Sequence, residues 1–489
     1  MQLQELLADV DVIDVCGDPS VDVRALAHDS RRVEPGACFA CIVGANDDGH
    51  DHAPEALRSG AVALLVERHL ERAVPEARVA SVRRALGPAA AQLHGHPSRA
   101  LRCLGVTGTN GKTTTTHLLA GIAGAAGERA GVVGTVGAGT ADAPRLLEHT
   151  TPEAPELQAL LARMRDDGVR TVAMEVSSHA LAQHRVDGTW FEAACFTNLT
   201  RDHLDYHASL DDYFEAKARL FDPARTARAA VNVDDPRGVE LARRCRERGV
   251  PVTTYAVTNE ADVVADAVAV GADGGRFTLR AQDGGAVALH THLLGRLNVA
   301  NALAAAVTAR LVGFDDEAIT AGLASVSAIP GRLERIDTGQ PFTVLVDYAH
   351  TPDALRAALA AARQLAGSKR VLVVFGAGGD RDAAKRPLMG EAAAAGADVV
   401  VVTDDNPRSE DPGEIASAIV AGARNGPAAV RREPDRRAAI RSALDEAGPG
   451  DVVLIAGKGH ETEQRVGDRT IPFDDRTVAH EELGNSRWN

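Results

Sequence analysis

Aromatic side chains are scarce in this 489-residue sequence, where Phe, Tyr and Trp together make up 3%. Hydrophobic residues nevertheless reach 45%, so the cores must be built from Ala, Val and Leu rather than from rings. Long apolar runs are missing too, and none approaches the ~18 residues that a membrane helix needs. The segment 1–21 holds five acidic side chains and no Lys or Arg, so it lacks the basic start of a signal peptide. Positive charge is the third shortage: 53 Lys and Arg face 68 Asp and Glu, giving −15. The basic residues are also dispersed, which excludes a nucleic-acid-binding face. The six Cys are scattered. Cys38 and Cys41 form a lone C-x-x-C within the strand-like run 37–43, and without a second pair they read as small core residues. What remains is a soluble, cytoplasmic chain of about three domains at roughly 150 residues each. Any anionic ligand must be met by local backbone nests and a few Lys or Arg.

What is present is organised around Gly105-Val106-Thr107-Gly108-Thr109-Asn110-Gly111-Lys112-Thr113-Thr114. A short apolar run, 101–106, precedes it and an amphipathic segment, 115–125, follows, which predicts strand, glycine-rich turn and helix. Consecutive N–H groups of such a turn point inward, and the helix N-terminus adds partial positive charge. The Lys112 ammonium can reach phosphate oxygens, and Thr113 would offer its hydroxyl to Mg²⁺. Strict phosphate-loop spacing asks for Gly where this chain has Val106. A nucleotide-phosphate site follows from the pattern; what is done with the phosphate does not.

The pattern along the chain predicts an α/β protein of three domains, over 1–99, 100–331 and 332–489. The first is a small α/β unit with strands near 37–43 and 61–67 and a helix over 52–58. Its stretches Asp29-Ser30-Arg31 and Gly44 to His50, which include Ala45, Asn46 and Asp47, have the composition of surface loops. The second is a mostly parallel sheet, with strands over 101–106, 130–134, 171–176, 193–198 and 229–233. Its helices fall over 155–167, 210–221 and 239–248, a more β-like stretch over 252–294, and a closing helix over 298–311. The third is Rossmann-like, with short β-branched strands over 343–346, 371–375, 399–403 and 452–456. Each ends in a polar turn, and ligands bind at such strand ends.

Acidic and imidazole side chains also gather after the central strands: Glu175 ends one, and Asp202, His203, Asp205 and His207 follow the next. Carboxylates beside a phosphate loop suit Mg²⁺; each taken alone could equally be a surface turn residue. Lys217, on the spacing of its helix, reads as a solvated surface lysine.

Together, T-G-T-N-G-K-T-T (107–114), T-T-P-E (150–153), E-V-S-S-H (175–179), T-N-L-T-R-D-H-L-D-Y-H (197–207), Y-F-E-A-K-A-R-L-F (213–221), G-R-L-N-V-A-N-A-L-A-A (295–305), P-G-R (330–332), D-Y-A-H-T-P-D (347–353), G-G-D-R-D (378–382), D-N-P-R (405–408) and G-K-G-H-E (457–461) resemble the Mur ligases. The likeness is greatest to the branch that forms UDP-N-acetylmuramoyl-tripeptide, and it runs the length of the chain in order. It implies amide-bond formation driven by ATP through an acyl phosphate, with diaminopimelate added to UDP-N-acetylmuramoyl-L-alanyl-D-glutamate. It implies a catalytic set of Lys112, Glu175, His203 and Lys217. Two Mg²⁺ ions would be held by Thr113, Glu175, His203 and a carbamylated Lys217. ATP would meet Gly108, Thr109, Asn110, Gly111, Lys112, Thr113 and Thr114, with Asn301, Arg332 and Asp347 near adenine and ribose. The UDP end of the first substrate would meet Ser30, Ala45, Asn46 and Asp47. Its muramoyl-peptide part would meet Thr150, Thr151, Ser177, Gln183 and Arg185. Arg381, Asp405, Asn406, Pro407, Arg408, Gly457 and Glu461 would receive diaminopimelate, whose second carboxylate suits the Arg408 guanidinium. The resemblance also implies a cytoplasmic monomer with no nucleic-acid or membrane partner. The rivals weighed are folylpolyglutamate synthase, the ligase adding D-Ala-D-Ala, and a phosphate-loop switch protein, whose Asn-Lys-x-Asp guanine reader is absent.

Overall fold

Ala, Val and Leu do fill the interior, in a computed structural model that describes residues 1–44, 47–141, 147 and 149–484. Three sheets hold most of the strands. The first holds β1 (Val12–Cys16), β2 (Ala25–Ala27), β3 (Ala37–Ala40), β4 (Ala63–Val66) and β5 (Glu76–Val79), in the order β1-β5-β4-β3-β2. Only β1 runs antiparallel to its neighbour.

The central sheet has ten strands. They are β6 (Arg102–Thr107), β7 (Ala130–Gly134), β8 (Gly137–Thr140), β9 (Thr171–Glu175), β10 (Ala193–Phe196), β11 (Ala229–Asn232), β12 (Val252–Ala256), β13 (Val263–Gly271), β14 (Gly274–Ala281) and β15 (Ala286–Thr291). Their order is β15-β14-β13-β12-β11-β10-β6-β9-β7-β8, parallel from β7 through β13 with an antiparallel hairpin at each edge. The β-like stretch 252–294 thus becomes the extension β12 to β15. Strand β6 lies between β10 and β9, where the chain order reverses, and open parallel sheets bind ligands at such a point. Register completes the placement: Thr107 stands beside Phe196 and Val106 beside Glu175, so the ends of three strands arrive together.

The helix Lys112–Ala125 differs from its amphipathic pattern, because Thr113 to Thr116, Leu118, Leu119, Ala120, Ile122 and Ala123 are all buried. The sheet covers one side and the helices Arg296–Leu311 and Asp316–Ser325 cover the other, leaving only the last residues, Gly124 and Ala125, exposed.

The third sheet contains β16 (Glu334–Ile336), β17 (Thr343–Asp347), β18 (Val371–Phe375), β19 (Val399–Val402), β20 (Ala429–Arg432) and β21 (Val452–Ala456), in the order β16-β17-β21-β18-β19-β20. Every residue of β18, β19 and β21 is buried, as strands covered on both faces require. A separate two-stranded hairpin, β22 (Glu463–Val466) and β23 (Arg469–Pro472), follows. Cys38 and Cys41 are buried and free, with thiols pushed up to about 12 by burial. Among the described residues no helix is long and apolar enough to cross a membrane.

Candidate active site

The turn after β6 is held in place by the residues that follow β10, which take up the Thr109 and Asn110 N–H groups. Asn198 accepts from the Asn110 N–H (2.9 Å) through its side chain and from the Thr109 N–H (2.9 Å) through its carbonyl. Thr197 Oγ1 donates to the Asn110 carbonyl at 2.6 Å. Gly111 has φ +88°, and a Cβ there would stand 2.3 Å from Asn301 Oδ1, so any side chain is strained and must displace Asn301. Val106 is buried inside the strand, below the turn, where a glycine has no task.

Lys112 opens the helix and curls back, donating to the carbonyls of Gly108 (3.0 Å) and Thr109 (2.8 Å). Lys217 donates to the same Gly108 oxygen at 2.8 Å and lies 4.5 Å over the Tyr213 ring. This corrects its reading as a surface lysine, since the side chain is 1% exposed. Tyr213 and Lys217 are four residues apart and share the inward face of the helix Leu210–Ala218. Burial, reinforced by the Lys112 charge, holds the Lys217 amine well below its ordinary range. Burial lowers Lys112 as well.

Glu175 ends β9 and accepts from the Thr135 N–H at 2.8 Å and from its hydroxyl at 3.1 Å. Past β10, His203 adopts φ +56°, a left-handed conformation that costs a non-glycine residue energy and recurs at functional sites. Burial pushes its imidazole down to about 3, and that of His179, 4.7 Å away, down to about 4. Burial works to raise the Asp202 carboxyl, but His350 and His203 hold it well below the usual carboxylate range.

The third sheet closes over these groups. The Arg332 guanidinium donates to Thr113 Oγ1 at 2.9 Å and lies 4.8 Å over the Tyr348 ring. Arg201 pairs with Asp382 at 3.2 Å and His350 with Asp202 at 3.7 Å, both across the two sheets. Asp347 ends β17 and accepts from the N–H groups of Leu333 and Ala349, while burial raises its carboxyl. Between the sheets lies a cleft of about 550 Å³.

One wall of the cleft carries Thr109 to Thr114, Thr150, Thr151, Glu175, Ser177, Arg185, His203 and Lys217. The opposite wall carries Arg332, Asp347, Arg381, Asp405, Asn406, Arg408, Gly457 and Glu461. Gln183 stands just behind, accepting from Arg185 at 2.7 Å. Gly108, Asn301 and Pro407 support the lining without forming it. The first-domain positions stand apart from this cleft. Ser30 is buried and donates to Glu55 at 2.7 Å, and His50 is buried as well, so neither is the surface-loop residue that composition predicts. Asp47 is exposed beside His52 at 2.8 Å, and Ala45 and Asn46 lie outside the described residues.

Composition and spacing also passed over lining residues: Thr135, His149, His179, Tyr348, His350 and Lys385. His179, Tyr348 and His350 each follow a strand end within one to four residues, which was the signal available.

Among the described residues no three His, Cys, Asp or Glu side chains converge to hold a metal ion. The oxygen and nitrogen donors Thr113, Glu175 and His203 line the cleft beside the phosphate loop. As a partial set they fit a Mg²⁺ that takes further oxygens from phosphate and water.

Three family profiles match the chain in order. These are a Mur ligase family catalytic domain over residues 22–94, a Mur ligase middle domain over 106–309 and a Mur ligase glutamate ligase domain over 331–459. The UDP-N-acetylmuramoyl-L-alanyl-D-glutamate–2,6-diaminopimelate ligase of Geobacillus thermodenitrificans is 46% identical, covering 98% of each chain. The protein of the same name from Streptomyces coelicolor is 45% identical over 95% of this chain and 93% of its own. A solved structure of a ligase of that name covers 99% of both chains at 35% identity, with a TM-score of 0.72. A folylpolyglutamate synthase of Mycobacterium tuberculosis, at 22% identity and TM-score 0.64, covers 76% of this chain and 92% of its own, and shares the fold. With its motifs, its three matched profiles and relatives alike from end to end, the chain belongs to the Mur ligase family.

Proposed function

We propose that this chain joins diaminopimelate to UDP-N-acetylmuramoyl-L-alanyl-D-glutamate, converting ATP to ADP and phosphate and supplying the tripeptide precursor of peptidoglycan. The observation that carries this reading is one cleft lined by the Lys112 phosphate loop and by the Asp405-Asn406-Pro407-Arg408 turn. A D-glutamyl carboxylate oxygen attacks the γ-phosphorus of ATP, the bond to ADP breaks, and an acyl phosphate forms. The amine of the incoming residue then attacks the acyl carbon, the bond to phosphate breaks, and the ammonium proton passes to solvent.

The first step brings a carboxylate against a polyanion, so fixed positive charge must stand between them. Lys112 supplies it from the loop, and Arg332 supplies it from the facing wall. Thr150, Thr151, Ser177 and Arg185 hold the muramoyl-peptide, with Ser30 and residues 45–47 at its UDP end. Asn301 and Asp347 serve the nucleoside of ATP. Bound Mg²⁺, two ions in this reading, adds charge against the phosphates, held by Thr113, Glu175, His203 and Lys217 as a carbamate. Arg381, Arg408 and Glu461 grip the second carboxylate and distal ammonium of diaminopimelate. Arg408 is prepared for this by its half-burial, its φ of +53° and its bond to the Gly379 carbonyl at 2.7 Å.

The test is incubation with the UDP-dipeptide, ATP, Mg²⁺ and each candidate amino acid, following phosphate release and product mass. Diaminopimelate should be consumed and L-lysine refused, and Arg408→Ala should lose diaminopimelate use while ATP binding persists. Equal turnover of L-lysine by the unaltered protein would refute the specificity.

A further inference from the structure

Lys458 is fully buried, yet the chemistry above gives it no task. It lies in the turn after β21, between Gly457 (φ +113°) and Gly459 (φ +55°). With this backbone the Lys458 side chain is buried while Gly457 and Glu461 line the cleft. Its ammonium donates to the Glu463 carbonyl at 2.6 Å, Glu461 Oε2 at 3.0 Å and Asn406 Oδ1 at 3.3 Å, and stands 3.9 Å from Asp405. A buried ammonium is expensive unless each of its protons has an acceptor, and all three do here.

These bonds dictate the orientation of the Asn406 amide. Asn406 Oδ1 accepts twice, from Lys458 and from the Arg465 N–H at 2.9 Å, so Nδ2 must turn the other way. There it donates to Glu461 Oε2 at 2.9 Å. The Oε2 atom of Glu461 is thereby held by two donors, from Asn406 and Lys458, which fixes how the carboxylate sits in the cleft. The hairpin β22–β23 is part of the same construction. Gln464 donates to the Asp405 carbonyl at 2.7 Å, Arg408 donates to the Arg465 carbonyl at 3.1 Å, and Gly467 donates to the Arg408 carbonyl at 2.8 Å.

We propose that Lys458, anchored to the hairpin through Glu463, is the positioning residue that sets diamino-acid recognition by orienting Asn406 and Glu461. Lys458 does not itself line the cleft, so it acts on a ligand there through Asn406 and Glu461. The inference rests on the diaminopimelate reading of the cleft.

Lys458→Met keeps the apolar stem as far as Cε but removes the ammonium and its donors. It should raise KM for diaminopimelate about tenfold or more, as expected when a buried charged hydrogen bond is lost. KM for ATP should stay within about twofold, as should exchange of labelled ADP into ATP with UDP-dipeptide and no amino acid, which reads acyl-phosphate formation alone. Gln464→Ala loosens the hairpin's hold from the other side, and should shift the same KM in the same direction by less. A Lys458→Met protein whose diaminopimelate KM is unchanged, or whose exchange reaction falls in parallel, overturns the role of Lys458. If Lys458→Met does not fold, an unchanged diaminopimelate KM in Gln464→Ala overturns it instead. Failure of the unaltered enzyme to use diaminopimelate overturns the reading of the whole cleft, a distinguishable result.

Discussion

Replacing Lys217 with alanine separates two accounts of the same atom. As an ammonium, Lys217 shares the Gly108 carbonyl with Lys112, so a buried cation and a cleft-lining one meet on one acceptor. Their proximity and burial lower the Lys217 amine, which leaves more of it neutral and able to react with CO₂. The lone pair of Nζ bonds to carbon, one C=O bond opens onto oxygen, and a proton passes to water. The product would be a carbamate, an anion able to ligate Mg²⁺ and attracted to Lys112 rather than repelled by it. For stability, Lys217→Ala loses one hydrogen bond to a charged donor and one ring contact, about 2–3 kcal/mol together. Where Lys217 is still an ammonium, the substitution also relieves the cost of burying that charge beside Lys112, so the terms largely offset. Tm should move by less than about 4 °C. Turnover should fall about 10²- to 10³-fold, the usual loss when one preorganised charge-stabilising group is removed. The assay is phosphate release with the UDP-dipeptide, ATP, Mg²⁺ and diaminopimelate, repeated with added acetate or propionate. Partial rescue by these acids is expected. Rescue by ethylamine instead, or retention of more than about a tenth of the activity, would refute the carbamate.

Two further outcomes follow from geometry and charge. Gly457→Ala places a Cβ 2.7 Å from Asp405 Oδ2 at φ +113°, and should cost about 1–3 kcal/mol in urea denaturation while weakening diaminopimelate use. His179, His203 and His460 are pushed by burial to about 4, 3 and 3, below their unfolded value near 6.5. The unfolded chain therefore binds more protons between those limits, so their stabilising contribution is complete above pH ~6.5 and is lost as pH falls toward 4. Denaturation midpoints measured from pH 7 to 4.5 should decline, and His460→Gln should flatten part of the slope; an unchanged slope counts against the buried imidazole.

The strands of the third sheet were legible because continuous β-branched runs bounded by polar turns have few other readings. Short strands such as β2, β16 and β20 escaped, since three or four half-exposed residues carry no periodicity. Lys217 was legible in principle: its four-residue spacing from Tyr213 marks a shared face, but lysine's usual exposure outweighed it. Ser30 and His50 were misjudged because turn composition does not reveal which polar side chain turns inward to a partner. Thr113 and Arg332 lie 219 residues apart, and no local pattern announces a bond between them.

The cleft is assembled from the ends of two sheets that share no strand. The phosphate loop belongs to one, and Arg332, which reaches Thr113 within that loop, lies beside the other. A nucleotide on the central sheet alone therefore lacks a cation that screens the attack on it. The Arg332 bond to Thr113 therefore exists only while the two halves stand against each other, and a chain whose halves were held apart would lose it.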